Sequence, residues 1–170
     1  MEKYAFLMIG YETPEFIKKI QRRIPESELY LPDDPDSPWK YGLETETHVT
    51  VAACLDNDVD LDILKKYLKP LESYKLMIKD VSVFHNAYFD VLKCSVDCDN
   101  LFKTNNAISD DFELHTEFME YHPHITIAYM RKGMADKYRR HIMKEPVFIH
   151  PLCFTLSRFN GDMPESVRFV

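Results

Sequence analysis

The same five-residue pattern occurs twice in this sequence, and it constrains what the surrounding chain can form. Residues 48–52 read His-Val-Thr-Val-Ala, and residues 124–128 read His-Ile-Thr-Ile-Ala. Successive side chains of a β-strand point to opposite faces. Each segment is therefore predicted to be a strand with its His and Thr on one face and its β-branched apolar residues on the other. Together the segments offer two imidazoles, which exchange protons near neutral pH, and a hydroxyl beside each.

The elements around these two segments also repeat. Apolar spacing and turn signals predict that each half of the chain runs strand, helix, motif strand, helix, strand. In the first half the other elements are expected at about 4–9, 14–24, 60–68 and 75–84. In the second half they are expected at about 88–96, 98–108, 134–143 and 147–156. The chain is thus interpreted as a single internally duplicated domain, 1–170, with repeats at about 1–85 and 86–170.

This order of elements predicts an α+β fold. Two small antiparallel sheets would meet face to face with helices outside, forming two pseudo-symmetric lobes around a central cleft. Each motif strand would lie centrally, with its His and Thr facing the other lobe. A Pro- and Asp-rich loop at 31–39 is interpreted as a flap or wall of that cleft. A length of 170 residues is ordinary for one such domain.

Composition and charge argue against several classes of protein. The formal net charge is −7 and the sequence pI is about 5.5, whereas proteins that grip long DNA or RNA usually carry a basic surface. No apolar run approaches the ~20 residues of a membrane span, and the N-terminal apolar stretch lacks the features of a signal peptide. The four cysteines form no CxxC pair. They are interpreted as free thiols of a cytoplasmic protein.

Two His-x-Thr strands suit the cleavage of a phosphodiester that has a ribose hydroxyl beside the phosphorus. One neutral imidazole accepts the proton of the attacking hydroxyl, and the other, protonated, donates to the leaving oxygen. Two Thr hydroxyls donate to the non-bridging oxygens as charge develops. The predicted catalytic residues are His48, Thr50, His124 and Thr126, and the pattern does not indicate which imidazole is the base. His122 and His124 have no Cys or carboxylate cluster at ligand spacing, so no metal and no cofactor are predicted.

The two His-x-Thr motifs resemble those for which the 2H phosphoesterase superfamily is named. The flanking segments are similar to one branch of it, the phage anti-CBASS nucleases. The similar segments are Gly-Leu-Glu at 42–44, Tyr-His-Pro-His-Ile-Thr-Ile-Ala-Tyr at 121–129 and Lys-Gly-Met-Ala at 132–135. Enzymes of this branch cleave cyclic oligonucleotide second messengers and so blunt CBASS immunity of the host.

The resemblance implies a metal-independent reaction on 3′–5′ bonds of cyclic di- or trinucleotides. Its expected course is attack by the ribose 2′-OH, a 2′,3′-cyclic phosphate and linear products, in the host cytoplasm. It implies that His48 and His124 form the acid–base pair and that Thr50 and Thr126 bind the phosphate. Two alternatives remain open. An RNA-processing 2H enzyme, acting on 2′,3′-cyclic phosphate ends or 2′–5′ bonds, would use the same residues, and a non-catalytic sponge would bind the messenger in the same cleft.

Four further residues are considered as substrate contacts. Tyr11, at the end of the first strand, would either stack on a base or pack at the strand end. Trp39, the single Trp, lies in the Pro- and Asp-rich loop and would cover a base or anchor the loop. Glu44 would orient a base or be solvated, and Lys132 could reach a phosphate. Tyr129, beyond the second motif, is interpreted as a core residue.

Overall fold

The structure, a computed structural model, describes residues 4–32, 41–116, 120–139, 145–158 and 164–168. Within these ranges the strands are β1 Tyr4–Tyr11, β2 His48–Asp56, β3 Leu76–His85, β4 Phe89–Asp97, β5 His124–Arg131, β6 Val147–Ile149, β7 Pro151–Arg158 and β8 Glu165–Arg168. The α-helices are α1 Glu15–Gln21, α2 Leu61–Leu68 and α3 Asp99–Asp111. Short 3-10 helices lie at Glu26–Glu28, Lys69–Leu71 and Asp136–Tyr138. In the described part of the chain, no helix is long and apolar enough to cross a membrane.

The strands form two antiparallel lobes that meet at a narrow seam. All eight belong to one sheet in the order β6-β3-β4-β5-β2-β1-β7-β8. At its centre, β2 and β5 pair through a single position, Val49 with Ile125, whereas β4 pairs with β5 along most of its length, as β1 does with β2. The predicted α+β fold is therefore confirmed. The lobes join edge to edge at this β2–β5 seam, where the sequence suggested two separate sheets.

Each lobe takes a strand from the other half of the sequence. β3, the last strand of the first half, pairs with β4. β7, from the second half, pairs with β1. As a result β5-β4-β3 in one lobe corresponds to β2-β1-β7 in the other. The order of elements along the chain did not predict this exchange, because it does not specify which sheet edge a strand joins.

The C-terminal part departs from its predicted elements. The helix expected at 134–143 is a 3-10 helix at Asp136–Tyr138 within the described residues, and 140–144 lie outside them. The strand expected at 147–156 divides at His150, because β6 pairs with β3 in one lobe and β7 with β1 in the other. Pro151 begins β7, a position that tolerates a residue without an amide hydrogen. β8, which pairs with β7, was not predicted.

The apolar faces of the motif strands lie at the centre of the core, as the alternation predicted. Val49, Val51, Ile125 and Ile127 are each 0% exposed. Burial of an aliphatic side chain of this size contributes about 1.5–3 kcal/mol. Helix α3 packs on β2, and its Asn105 side chain donates to the backbone carbonyl of Val51 at 2.8 Å. The opposite face of each motif strand, termed the motif face, carries the His and Thr and is backed by this packed core.

Candidate active site

The seam brings the four predicted catalytic residues together. It pairs the middle residues of the two His-x-Thr motifs in antiparallel register. In that register the residue before one partner lies opposite the residue after the other, which sets His48 beside Thr126 and Thr50 beside His124. His48, Thr50 and His124 are partly exposed, and Thr126 is 8% exposed. The motif face of both lobes is thus continuous across the seam.

Both imidazoles are held by the backbone in the same way. The Nδ1 of His48 lies 2.8 Å from the carbonyl oxygen of Glu46, and the Nδ1 of His124 lies 2.8 Å from that of His122. A carbonyl oxygen only accepts, so Nδ1 donates in both rings and Nε2 is the nitrogen left for chemistry. Neither Nε2 has a hydrogen-bond partner among the described residues. No group of three or more His, Cys, Asp or Glu residues in the described ranges is arranged to hold a metal ion.

Burial and nearby positive charge both act on His124. Its ring lies edge-on to Phe84, with the centroids 5.0 Å apart. Burial lowers the pKa of His124, and the hydrogen bond to the His122 carbonyl opposes that shift. The positive charges of Lys93, His48 and His122 lower the pKa further. His124 therefore favours the neutral form, which is the form a general base needs.

A lysine that sequence reasoning missed lies on the motif face. Lys93 on β4 pairs with Thr126 on β5 and with Ser82 on β3, and 7% of its surface is exposed. Its Nζ donates to the Ser82 hydroxyl at 2.8 Å and lies 4.0 Å from the centre of the Phe84 ring. Burial lowers the pKa of Lys93. A charged residue inside the otherwise apolar run 91–94 was the signal that could have identified it.

The corresponding surface beside His48 is neutral and tightly packed. Gly10 on β1 pairs with His48 on one side and with Cys153 on the other. A Cβ atom at Gly10 would stand 2.9 Å from the Cys153 sulfur, which is closer than such atoms approach. Two residues before Gly10 on β1, Met8 pairs with Thr50. β1 thus places small and apolar groups beside the first motif, where β4 places a lysine beside the second.

An aromatic cluster adjoins Thr126. Tyr129 follows Thr126 on β5, and burial raises the pKa of Tyr129. The Tyr129 ring lies edge-on to Tyr41 at 5.3 Å and to Phe89 at 5.9 Å, and Tyr30 contacts both of these rings. Tyr129 was interpreted as a core residue. It is instead partly exposed, because a bulge in the β4–β5 pairing turns it to the face of Thr126.

The segment that leads into β2 runs along β5. The Gly42 carbonyl accepts from the Tyr129 amide at 2.7 Å, and the Glu44 amide donates to a second β5 carbonyl at 3.0 Å. Gly42 has a φ of +95°, a conformation that favours glycine. The Glu44 carboxylate accepts from the Glu46 amide at 3.1 Å. Glu44 is thereby held just ahead of the first motif and is partly exposed.

Two predicted aromatic contacts cannot be placed at the seam. Tyr11 is 7% exposed and belongs to the core cluster. Its ring has almost no surface left for a base to stack on, which favours the packing alternative. Trp39 falls in 33–40, outside the described residues.

Lys132 belongs to a separate polar cluster at the far end of β5. Strand β5 extends about 23 Å from His124 to that end, so Lys132 does not reach a phosphate held between the two histidines. It lies 3.5 Å from the carboxylate of Asp90, which also accepts from the Gly133 amide at 2.7 Å and contacts His85 at 2.9 Å. Burial alone would raise the pKa of Asp90. The hydrogen bonds from His85 and Gly133, with the nearby positive charges, lower it overall.

The fold is shared with solved structures, although no protein-family model and no curated protein matches the sequence. Kluyveromyces marxianus Usb1 aligns with a TM-score of 0.58 and 9% identity over 98% of each chain. The structure of the same protein with uridine monophosphate aligns with a TM-score of 0.60 and 9% identity over 98% of each chain. E. coli LigT complexed with 3′-AMP aligns less well, with a TM-score of 0.45 and 14% identity over 100% of this chain and 96% of LigT. At 9% identity the likeness to Usb1 concerns the fold alone, and it extends over nearly the whole chain.

Proposed function

We propose that the protein is a metal-independent phosphodiesterase of the 2H type that cleaves 3′–5′ bonds in cyclic di- or trinucleotide second messengers. One observation carries the proposal: the equivalent backbone anchoring of His48 and His124 on either side of the seam. A displacement at phosphorus needs one proton acceptor and one proton donor on opposite sides of the reacting atom. Two imidazoles with matching orientation meet that need. The resemblance of the motifs and their flanks to the phage anti-CBASS nucleases supports the choice of substrate.

The reaction begins at the ribose 2′-OH beside the scissile phosphate. The neutral Nε2 of one histidine takes the hydroxyl proton as the oxygen attacks phosphorus. The bond from phosphorus to the 5′ oxygen breaks, and that oxygen takes a proton from Nε2 of the other histidine. The products are a 2′,3′-cyclic phosphate and a free 5′-OH, and exchange with water restores the two protonation states. General acid–base help of this kind contributes about 10²–10⁴ in rate.

Thr50 and Thr126 supply the hydrogen bonds to the phosphate. Each sits beside the histidine of the other motif in the seam register. Their hydroxyls would donate to the non-bridging oxygens, whose negative charge grows in the transition state. This arrangement places one donor from each lobe on the same phosphate.

A small nucleotide suits this site better than a long nucleic acid. The net charge of −7 disfavours many phosphate contacts at once. A solved structure with a similar fold, that of Usb1, contains uridine monophosphate, which supports nucleotide binding by a chain of this shape. Glu44, held ahead of the first motif, is the proposed contact to a base, and Trp39 remains a second proposed contact. Cleavage of a messenger in the host cytoplasm would blunt the CBASS response.

A second candidate is a 2H enzyme of RNA processing that opens 2′,3′-cyclic phosphate ends. The Usb1 structure with uridine monophosphate favours it, because that ligand is a single linear nucleotide. The two candidates use the same four side chains. They differ in whether the walls of the cleft accept a ring of nucleotides or a strand end.

A substrate panel distinguishes these functions. The protein is incubated with cyclic di- and trinucleotides carrying 3′–5′ or 2′–5′ linkages, and with short RNAs ending in a 2′,3′-cyclic phosphate, all in EDTA. Products are followed by chromatography. Linear products from the cyclic substrates, with a 2′,3′-cyclic phosphate formed first, are the expected result.

Other outcomes of the panel contradict the proposal. Turnover of RNA ends alone would identify the RNA-processing enzyme. Recovery of intact messenger in a tight complex would identify a sponge. Loss of activity in EDTA, restored by a divalent cation, would overturn the metal-independent mechanism. The His48→Ala variant serves as the control for contaminating nucleases.

A further inference from the structure

The two lobes differ in charge at positions that their layouts make equivalent. Thr126 pairs with Lys93, and Thr50 in the other lobe pairs with Met8. On its other side, Lys93 pairs with Ser82 on β3, and Met8 pairs with Thr155 on β7. The flanking hydroxyl is thus present in both lobes. The lysine is present beside the second motif only.

Lys93 is a buried cation with neutral partners. Its Nζ donates to the hydroxyls of Ser82 at 2.8 Å and Ser95 at 3.4 Å. It also lies over the Phe84 ring, which in turn lies edge-on to His124. Within the described residues Lys93 forms no ion pair with a carboxylate. A positive charge that is largely removed from water acts more strongly on its neighbours than an exposed one, because the effective dielectric constant around it is lower.

We propose that Lys93 is a positioning residue that assigns the two histidines their roles, making His124 the general base and His48 the general acid. The inference rests on the proposed function, since it concerns the direction of proton transfer in that reaction. The Lys93 ammonium and the His124 ring pack against the same Phe84 ring, whereas no contact among the described residues joins Lys93 to His48, so the two imidazoles are not equivalent. His124 then takes the 2′-OH proton, and His48 gives its proton to the 5′ oxygen.

Other charged groups near His124 do not supply the same asymmetry. On the segment before β5, His122 lies on the His124 side, and its side chain is 63% exposed and 3.4 Å from the carboxylate of Glu120. On β2, His48 is the partner ring itself. On β3, Asp80 is exposed, and its negative charge partly opposes the lowering of the pKa of Lys93 by burial. Among the described residues near His124, Lys93 is therefore the buried cation. The first motif has Met8 at the equivalent position.

The test is a comparison of Lys93→Met with wild type. Met is the residue at the equivalent position of the other lobe, so its size fits such a site. The titration of His124 is followed by NMR on ¹⁵N-histidine-labelled protein without substrate. The midpoint is expected to move to higher pH by about 0.5 unit, because removal of a nearby positive charge favours the protonated ring. The acidic limb of the kcat/KM profile is expected to move in the same direction, since a base must be deprotonated to act.

Two variants control for effects other than the buried charge. Lys79→Met removes one positive charge at an exposed position that pairs with Asp97 at 2.7 Å, and it should leave the midpoint of His124 unchanged. Lys93→Arg keeps the charge and should keep the wild-type midpoint. Should Lys93→Met fail to fold, Lys93→Gln takes its place in the same comparison.

Three results would overturn the inference. An unchanged His124 midpoint in the uncharged variant would show that the lysine does not act on that ring. A higher KM with an unmoved acidic limb would make Lys93 a phosphate contact instead. An equal shift in Lys79→Met would show a general charge effect. Because the NMR titration needs no turnover, it shows whether Lys93 acts on the His124 ring even if the panel assay rejects the proposed activity.

Discussion

His48 and His124 are oriented by the same contact, a hydrogen bond of 2.8 Å from Nδ1 to the backbone carbonyl two residues earlier in the chain. The acceptors belong to Glu46 and His122, which lie just before β2 and β5. Because each acceptor is a main-chain atom, this contact does not depend on the side chains of Glu46 and His122. The two lobes thus share the geometry of the imidazoles and differ in the groups placed around them.

The first prediction concerns the two histidines. His48→Ala and His124→Ala are each expected to lower kcat/KM by about 10²–10⁴, because each removes one proton-transfer group. The double variant should lose little more than either single one, since the pair acts as a unit. Cleavage of a cyclic dinucleotide in EDTA, followed by chromatography, measures both.

His122→Ala is the matched control for that experiment. The His122 side chain is exposed, and its backbone carbonyl, which anchors His124, remains in the variant. Its rate should stay within about twofold of wild type, because an exposed polar contact of this kind contributes little. A full rate in either His48→Ala or His124→Ala would contradict the paired mechanism.

The second prediction concerns the threonine hydroxyls. Thr50→Val and Thr126→Val keep the shape of the side chain and remove its donor. Each is expected to lower kcat by about 10²–10³, the usual cost of one lost donor to a developing oxyanion. Thr50→Ser and Thr126→Ser keep the donor and should retain most of the rate. If the Val and Ser variants were equally active, the hydroxyls would not bind the phosphate.

The third prediction concerns the tight contact beside His48. Gly10→Ala would bring a Cβ atom to 2.9 Å from the Cys153 sulfur. Overpacking of this kind is expected to lower the free energy of unfolding by about 1–3 kcal/mol, measured by urea denaturation. Adding Cys153→Ala should restore much of the loss by removing the sulfur. Additive effects of the two substitutions would show that the contact is not the cause.

The fourth prediction concerns acid stability and the buried carboxylate of Asp90. Its lowered pKa means that its ionised form stabilises the folded state above the unfolded-state pKa of about 3.9. That contribution is lost as the pH falls through the lowered folded-state value. Asp90→Asn should therefore lower the free energy of unfolding by about 1–3 kcal/mol at pH 7. The difference in the free energy of unfolding between this variant and wild type should become smaller below about pH 4.

Asp136→Asn is the control for the fourth prediction. The Asp136 side chain is half exposed and lies 3.6 Å from the same His85 ring. Exposed ion pairs contribute about 0–1 kcal/mol, so this variant should change stability much less. Urea denaturation at pH 7 and at pH 3.5 measures both variants. If the free energies of unfolding of Asp90→Asn and wild type differed by the same amount at both pH values, the stabilising role of the ionised carboxylate would be contradicted.

Much of the fold was predictable because its signals are local. The alternation of His and Thr with Val or Ile identified both motif strands and their buried faces. The helical spacing of Leu61, Leu64 and Leu68 identified α2. The division at His150 was not predictable, because β6 and β7 separate only through their different partners in the sheet. Lys93 was missed for a similar reason, since its position beside Thr126 depends on strand pairing.

By itself, the sequence predicted which side chains would carry the proposed chemistry and determined which face of each motif strand bears them. A period of two is a property of a single strand and needs no knowledge of its neighbours. The tertiary structure decided that the two motif strands meet at one residue pair and that each lobe takes a strand from the other half of the chain. It also placed a buried lysine against the same phenylalanine ring as His124. Those relationships join residues far apart in the chain, and they are set by hydrogen-bond register and packing, which no local pattern encodes.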